Sequence, residues 1–333
     1  LLLRANTTRS FRAPAITELF TPTSSIFTTV PDPCDSRNVP GGTRPAVRQA
    51  NCAAFFRQFN LNPANFQSTA VTATVQGTSS GDPNLENERG DSWTAGFVYT
   101  PEYIDGFRLM ADYYEIEVSN SIANLSATAI ATGCFDNTNF NTTDVTRANS
   151  FCERIERRAD GQINSVRTGF VNGGILNFKG ASAEAEYRRS LEDLGVSLPG
   201  SLSASVNAFR LMRLESSANN VVINRDDGEI GNSHRQMQIG LGYDHPSWGV
   251  NLQANYIGAA RFDRDFTVES RDILGIGSYW LVNAGAYMYL GESGLVRFSV
   301  TNVADRDAPF PTGGIATYDI LGRRYAISTQ WNF

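Results

Sequence analysis

The sequence predicts an all-β chain, an antiparallel transmembrane β-barrel wall, from three observations. About ten stretches alternate apolar and polar residues with period two, so each offers one face to an apolar solvent and one to water. Connections of about four to ten residues alternate strictly with connections of about 15 to 80, the turn-and-loop asymmetry of membrane-spanning barrels. Aromatic residues (Tyr99, Tyr187, Tyr243, Trp248 and Phe333) stand where outward strands meet short turns, as an interfacial girdle requires.

Composition narrows the choice without deciding it. Hydrophobic content is 41% and no run of 18 uncharged apolar residues occurs, which excludes a transmembrane helix. Only alternate residues of a barrel wall face lipid, so mean hydropathy stays that of a water-soluble chain. The net charge of −6 comes without a polybasic face, which excludes nucleic acid as the main partner. Lys179 is the only lysine, and every other basic residue is arginine. A GC-rich genome gives that bias; so does pairing of guanidinium forks with lipopolysaccharide phosphates.

No chemistry of an enzyme shows. His234 and His245, the only histidines, lie far from every cysteine and have no convincing Ser or Asp partner. There is no G-x-S-x-G elbow and no metal-ligand spacing, so neither catalysis, a metal nor a cofactor is expected. Cys34 and Cys52 repeat the spacing of Cys134 and Cys152, both in polar, strand-poor stretches. Two local disulfides in an oxidising compartment fit this pattern, with free thiols as the alternative.

In chain order, Leu1 to Phe11 reads as a strand, and about 12–90 as a long loop with the first cysteine pair. Such a loop is functional or disordered, and a disulfide inside it favours order. From Ser92, Trp93, Ala95, Phe97 and Tyr99 share a face up to Pro101, and Phe107, Leu109, Ala111 and Tyr113 share the next. The parity slips near Tyr113–Ile116, at a β-bulge or where the strand leaves the membrane. Residues 119–174 form the second long loop, with a helix-like piece near Ala148–Ala159. Strand pattern returns at Ala181–Tyr187, Leu202–Ala208, Met237–Tyr243, Val250–Tyr256, Trp280–Leu290 and Val296–Val300, all as hairpins without a parallel pair. The closing stretch Gly322–Phe333 puts Tyr325, Ile327, Trp331 and Phe333 on its apolar face.

Several of these segments resemble the TonB-dependent outer-membrane receptors. SFRAPAITELF (Ser10–Phe20) is similar to their segment where a strand rises into an outer loop. DPNLENERGDSWTAGFVYTP (Asp82–Pro101) is similar to the element that descends to a turn, without the family's proline before glutamate. FRLMADYYEIEVSNSI, FSVTNVA and YDILGRRYAISTQWNF follow in family order. The resemblance implies that residues 1–333 are the C-terminal portion of a barrel of about 22 strands, its plug domain lying outside this chain. It implies import of a scarce nutrient (siderophore-iron, cobalamin or oligosaccharide) energised by the TonB complex acting on the plug, with a passive porin or a surface-binding β-barrel as the alternative. Phe135, Phe140, Phe151, Arg154, Phe310 and Tyr318 are then candidates for ligand contact, or for packing the loops on each other. Tyr325, Ile327, Trp331 and Phe333 become the signal read by the barrel assembly machinery, and outer-membrane lipid and lipopolysaccharide become the surroundings of a Gram-negative cell.

Overall fold

The structure is a computed structural model in which residues 1–42, 44–310 and 318–331 are described. Along the chain run β1 (Leu2–Arg12), α1 (Ile16–Phe20), β2 (Ser24–Thr28), α2 (Pro45–Gln58), β3 (Val75–Ser80), β4 (Glu88–Tyr99), β5 (Phe107–Leu125) and α3 (Ala127–Phe135). There follow β6 (Ile155–Arg157), β7 (Ile163–Ser190), β8 (Ser201–Ser217), β9 (Asn224–Arg225), β10 (Arg235–His245) and β11 (Trp248–Ile257). The chain finishes with β12 (Ala260–Arg261), β13 (Gly275–Ile276), β14 (Tyr279–Leu290), β15 (Gly294–Thr301) and β16 (Arg324–Trp331). Ten of them form one meander, β1-β4-β5-β7-β8-β10-β11-β14-β15-β16, antiparallel throughout, with β1 and β16 as its open edges among the described residues. No helix is long and apolar enough to cross a membrane, which is silent on strands.

Register explains why this sheet has two faces. Phe97, Ala111, Ala183, Ala208, Met237 and Tyr256 stand opposite one another on adjacent strands. One step along, on the other face, Glu184, Asn207, Gln238 and Asn255 do the same. A slip of one residue in any ladder would exchange these rows, so the alternation fixes the register. Apart from Arg189, which pairs with Asp105 at the rim of the short turns, the apolar face counted from the short-turn end meets charge at the ninth residue of β4 and β5 (Asp91, Glu115), the twelfth of β7 (Lys179), the tenth of β8 (Arg210) and the eleventh of β10 (Arg235). A tilted strand of about 9–11 residues spans a bilayer core, so the apolar band has the height of one.

Aromatics close the band at the turn end. Tyr243 meets Trp248 edge-on at 5.1 Å, and its hydroxyl donates to Pro199 O. In the β4–β5 turn Gly106 has φ +79°, and a Cβ there would lie 2.0 Å from Arg188 O, so this position needs glycine.

One alternative is decided and three expectations change. The long β5 stays paired without interruption through Tyr113–Ile116; its register shifts instead between Val118 and Ser121, where Asn120 takes φ +57°. Asparagine tolerates that left-handed conformation better than most residues. The parity slip therefore marks the charge at Glu115, where the apolar band ends. The helix expected near Ala148–Ala159 is a 3-10 turn at Cys152–Arg154 followed by β6, whereas helices form at α2 and α3. Strands also reach deep into the expected loops: β5 runs to Leu125 and β7 begins at Ile163. Finally, β3 pairs with β7 in parallel, Gln76 opposite Ser165, because the first loop returns along the upper part of a wall strand. Phe333 lies outside the described residues.

Candidate functional site

Above the apolar band the two cysteine-bearing loops fold into one module. In α2 a proline opens the helix, where its missing N–H costs nothing. Arg48, Asn51, Cys52, Phe55 and Phe56 are its buried stripe, at spacings of three and four. In α3 the Ser126 hydroxyl accepts from Ala129 N at 3.1 Å, and Ala127, Ile130, Ala131, Cys134 and Phe135 turn inward. Disulfides join Cys34 to Cys52 and Cys134 to Cys152, and both lie in one cluster with Phe55, Phe56, Phe66, Phe135 and Val145.

Two buried ion pairs tie the loops to each other. Arg48 Nε and Nη2 donate to Asp136 at 2.5 and 2.6 Å, both side chains more than 90% buried. Arg157 Nη1 and Nη2 donate to Asp32 at 2.7 and 2.8 Å, and its guanidinium also stands 5.1 Å from the Phe55 ring and 5.2 Å from the Phe135 ring. Asn51 donates to the carbonyls of Phe135 and Asn137. Each of these joins a residue of the first loop to one of the second, so the two loops are one body. Arg157 holds the Asp32 carboxylate below its usual range against the opposing effect of burial, which is the larger single influence.

On the side of this module lies a cleft of about 680 Å³ lined by Thr146, Arg147, Glu153, Arg154, Glu156 and Arg167, among others. Arg157 reaches it but is committed to Asp32. Arg167 donates to the Glu153 carbonyl, and Arg147 and Arg154 make no ion pair among the described residues. Burial draws the Arg154 guanidinium below its ordinary value, Asp82 opposes this and Arg167 adds to it. A desolvated cation beside another cation gains most from an anion that supplies the missing partner.

The candidate ligand residues separate by exposure. Phe135, 2% exposed, is at the centre of the module, with Phe140 and Phe151 packed against it. Tyr318, 4% exposed, packs edge-on against Tyr279 in a second loop cluster with Ala260 and Ile276. Arg154 opens on the cleft and Phe310 is 82% exposed. Sequence reading passed over Arg147 and Arg167; the arginine-dense stretch from Arg147 to Arg167 was the available signal. On β16, Tyr325, Ile327 and Trp331 lie exposed on the apolar face.

Comparison with solved structures gives the same architecture. The ferric enterobactin receptor PfeA of Pseudomonas aeruginosa matches over 99% of this chain at TM-score 0.56 and 14% identity. The siderophore receptor PirA of Acinetobacter baumannii matches over 99% at TM-score 0.55 and 12% identity. The chain spans 38% and 39% of those two proteins. No curated protein sequence matches it. The family model of the TonB-dependent receptor-like β-barrel matches residues 1–303, and with the two-faced meander, the short turns and the raised loops, this chain belongs to that family.

Proposed function

We propose that the chain is the C-terminal part of the wall and outer loops of a Gram-negative outer-membrane receptor that imports a scarce nutrient, energised through the TonB complex. Among nutrients, an anionic iron chelate of the siderophore class suits it best. The observation that carries this is the cleft in the disulfide-stapled module, where four arginines outnumber Glu153 and Glu156 and where Arg147 and Arg154 make no ion pair among the described residues, above a sheet whose inner face is polar. Guanidinium forks bind planar oxyanions bidentately, so they favour a chelate with peripheral negative charge over a neutral oligosaccharide. The similarity to two siderophore receptors agrees with this reading at the level of fold.

The test is uptake of radiolabelled ferric siderophores by cells carrying the full-length receptor. Replacing Arg147 and Arg154 together by alanine is expected to lower uptake at least tenfold with the protein's abundance in the outer membrane unchanged. Uptake that survives dissipation of the proton-motive force would point to a passive pore instead. The face Tyr325, Ile327 and Trp331, with Phe333, is proposed as the strand read by the barrel assembly machinery; Ile327→Ser with Trp331→Ser is expected to reduce the folded, heat-modifiable form.

A further inference from the structure

The apolar face of the wall carries a depression that packing alone does not require. Ala95, Ala111, Ala181, Ala183 and Ala208 present only methyl groups on four adjacent strands, β4, β5, β7 and β8. Around them stand the longer Phe97, Tyr113, Met237 and Tyr256, leaving a groove of about 630 Å³ whose walls are mostly carbon. At its loop end are Arg210 and Arg235, which lie directly opposite each other in the β8–β10 ladder. Like charges in that relation repel unless an anion lies between them.

Neighbouring charges on the same face are already matched: Lys179 with Glu115, and Arg213 with Glu215 at 3.5 Å. Arg210 and Arg235 have no carboxylate partner among the described residues. A second cavity of about 420 Å³ continues from the groove toward the loops, sharing Arg210, Arg235 and Tyr256 and adding the polar Ser233 and His234. An apolar trough and a polar pocket thus meet at two uncompensated guanidiniums, at the height where the apolar band ends.

We infer that this pair of cavities binds a phosphorylated acyl lipid of the outer leaflet, lipopolysaccharide, with a phosphate bridging Arg210 and Arg235 and an acyl chain on the alanine floor. Guanidinium forks take phosphate bidentately. The chain, lying across methyl groups, buries apolar area that longer side chains would otherwise fill. The inference rests on the outer-membrane reading above and assigns the lipid one place on the barrel.

The experiment uses full-length receptor purified from outer membranes, washed with neutral detergent, and scored by native mass spectrometry for retained lipopolysaccharide. Wild type is expected to retain one molecule. Arg210→Gln with Arg235→Gln is expected to retain at least tenfold less, and Ala183→Phe, which fills the trough and leaves both arginines in place, is expected to lose it as well. Each variant is checked for the heat-modifiable mobility of a folded barrel. Folded wild type that retains none, a double variant that retains as much as wild type, or equal retention of enzymatically dephosphorylated lipid overturns the site. Recovery of the wild type outside the outer membrane overturns the membrane reading along with it.

Discussion

Glu88 sits at the upper end of β4 and gathers three partners from two neighbours. Arg12 Nε donates to it at 2.5 Å, and Ile122 N and Ser121 Oγ donate at 2.8 and 3.1 Å. The hydrogen bond from Arg12 is the main reason its pKa is lowered to about 2. A carboxylate with a depressed folded pKa stabilises above its unfolded value, about 4.3, and that stabilisation is lost as pH falls through about 2. The Ile122 amide proton is therefore expected to shift with a midpoint near pH 2, and Glu88→Gln to abolish the transition; a midpoint near 4.3 would show that the clamp is absent. The buried Arg48–Asp136 pair makes a different kind of residue-scale prediction. Arg48→Ala strands a carboxylate that is 1% exposed, and removing one partner of a buried pair costs about 3–5 kcal/mol. Faster hydrogen exchange in both α2 and α3 is expected, whereas Arg48→Met with Asp136→Leu, which removes both charges, is expected to restore most of the protection.

At the scale of elements, each disulfide closes a short loop, 18 residues apart in sequence, and removing one should cost about 3 kcal/mol. Cys134→Ala with Cys152→Ala is expected to expose residues 136–150 to limited proteolysis while the wall keeps its heat-modifiable mobility. Protection equal to wild type would show that the aromatic cluster alone holds the loop. The same division between wall and module explains what could be read from sequence. Within the apolar band each strand repeats every two residues because one face meets an apolar solvent, and Met237 to Tyr243 declares itself for that reason. Above the band both faces of β5 and β7 meet water or other loops, so the alternation fades and the sequence there carries no strand signal. The helix α2 was hidden because its buried stripe contains Arg48 and Asn51, whose partners Asp136, Phe135 O and Asn137 O lie more than 80 residues away. The cleft was half visible: Arg154 was legible as an arginine in a loop, but its nearness to Arg147 and Arg167 depends on the hairpin of β6 and β7.

At the scale of the molecule, the meander leaves β1 and β16 each with a single neighbour among the described residues. Unpaired backbone groups facing hydrocarbon cost several kcal/mol apiece. Residues 1–333 expressed alone are expected to lack heat-modifiable mobility and to regain it when the remaining strands of the receptor are supplied in the same chain. A stable folded barrel from these residues alone would mean that the edges meet each other.

The joining of the two cysteine loops sets a rule for how such receptors exchange parts. Arg48 and Asp136, Arg157 and Asp32, and the Phe55–Phe135 contact all cross from one loop to the other. A recombinant that takes only one of the two from a sister protein inherits half of every lock, with a charge buried opposite the wrong side chain. The unit that folds on this side of the wall is therefore the pair, and grafts made singly are expected to fail to fold where grafts of both succeed.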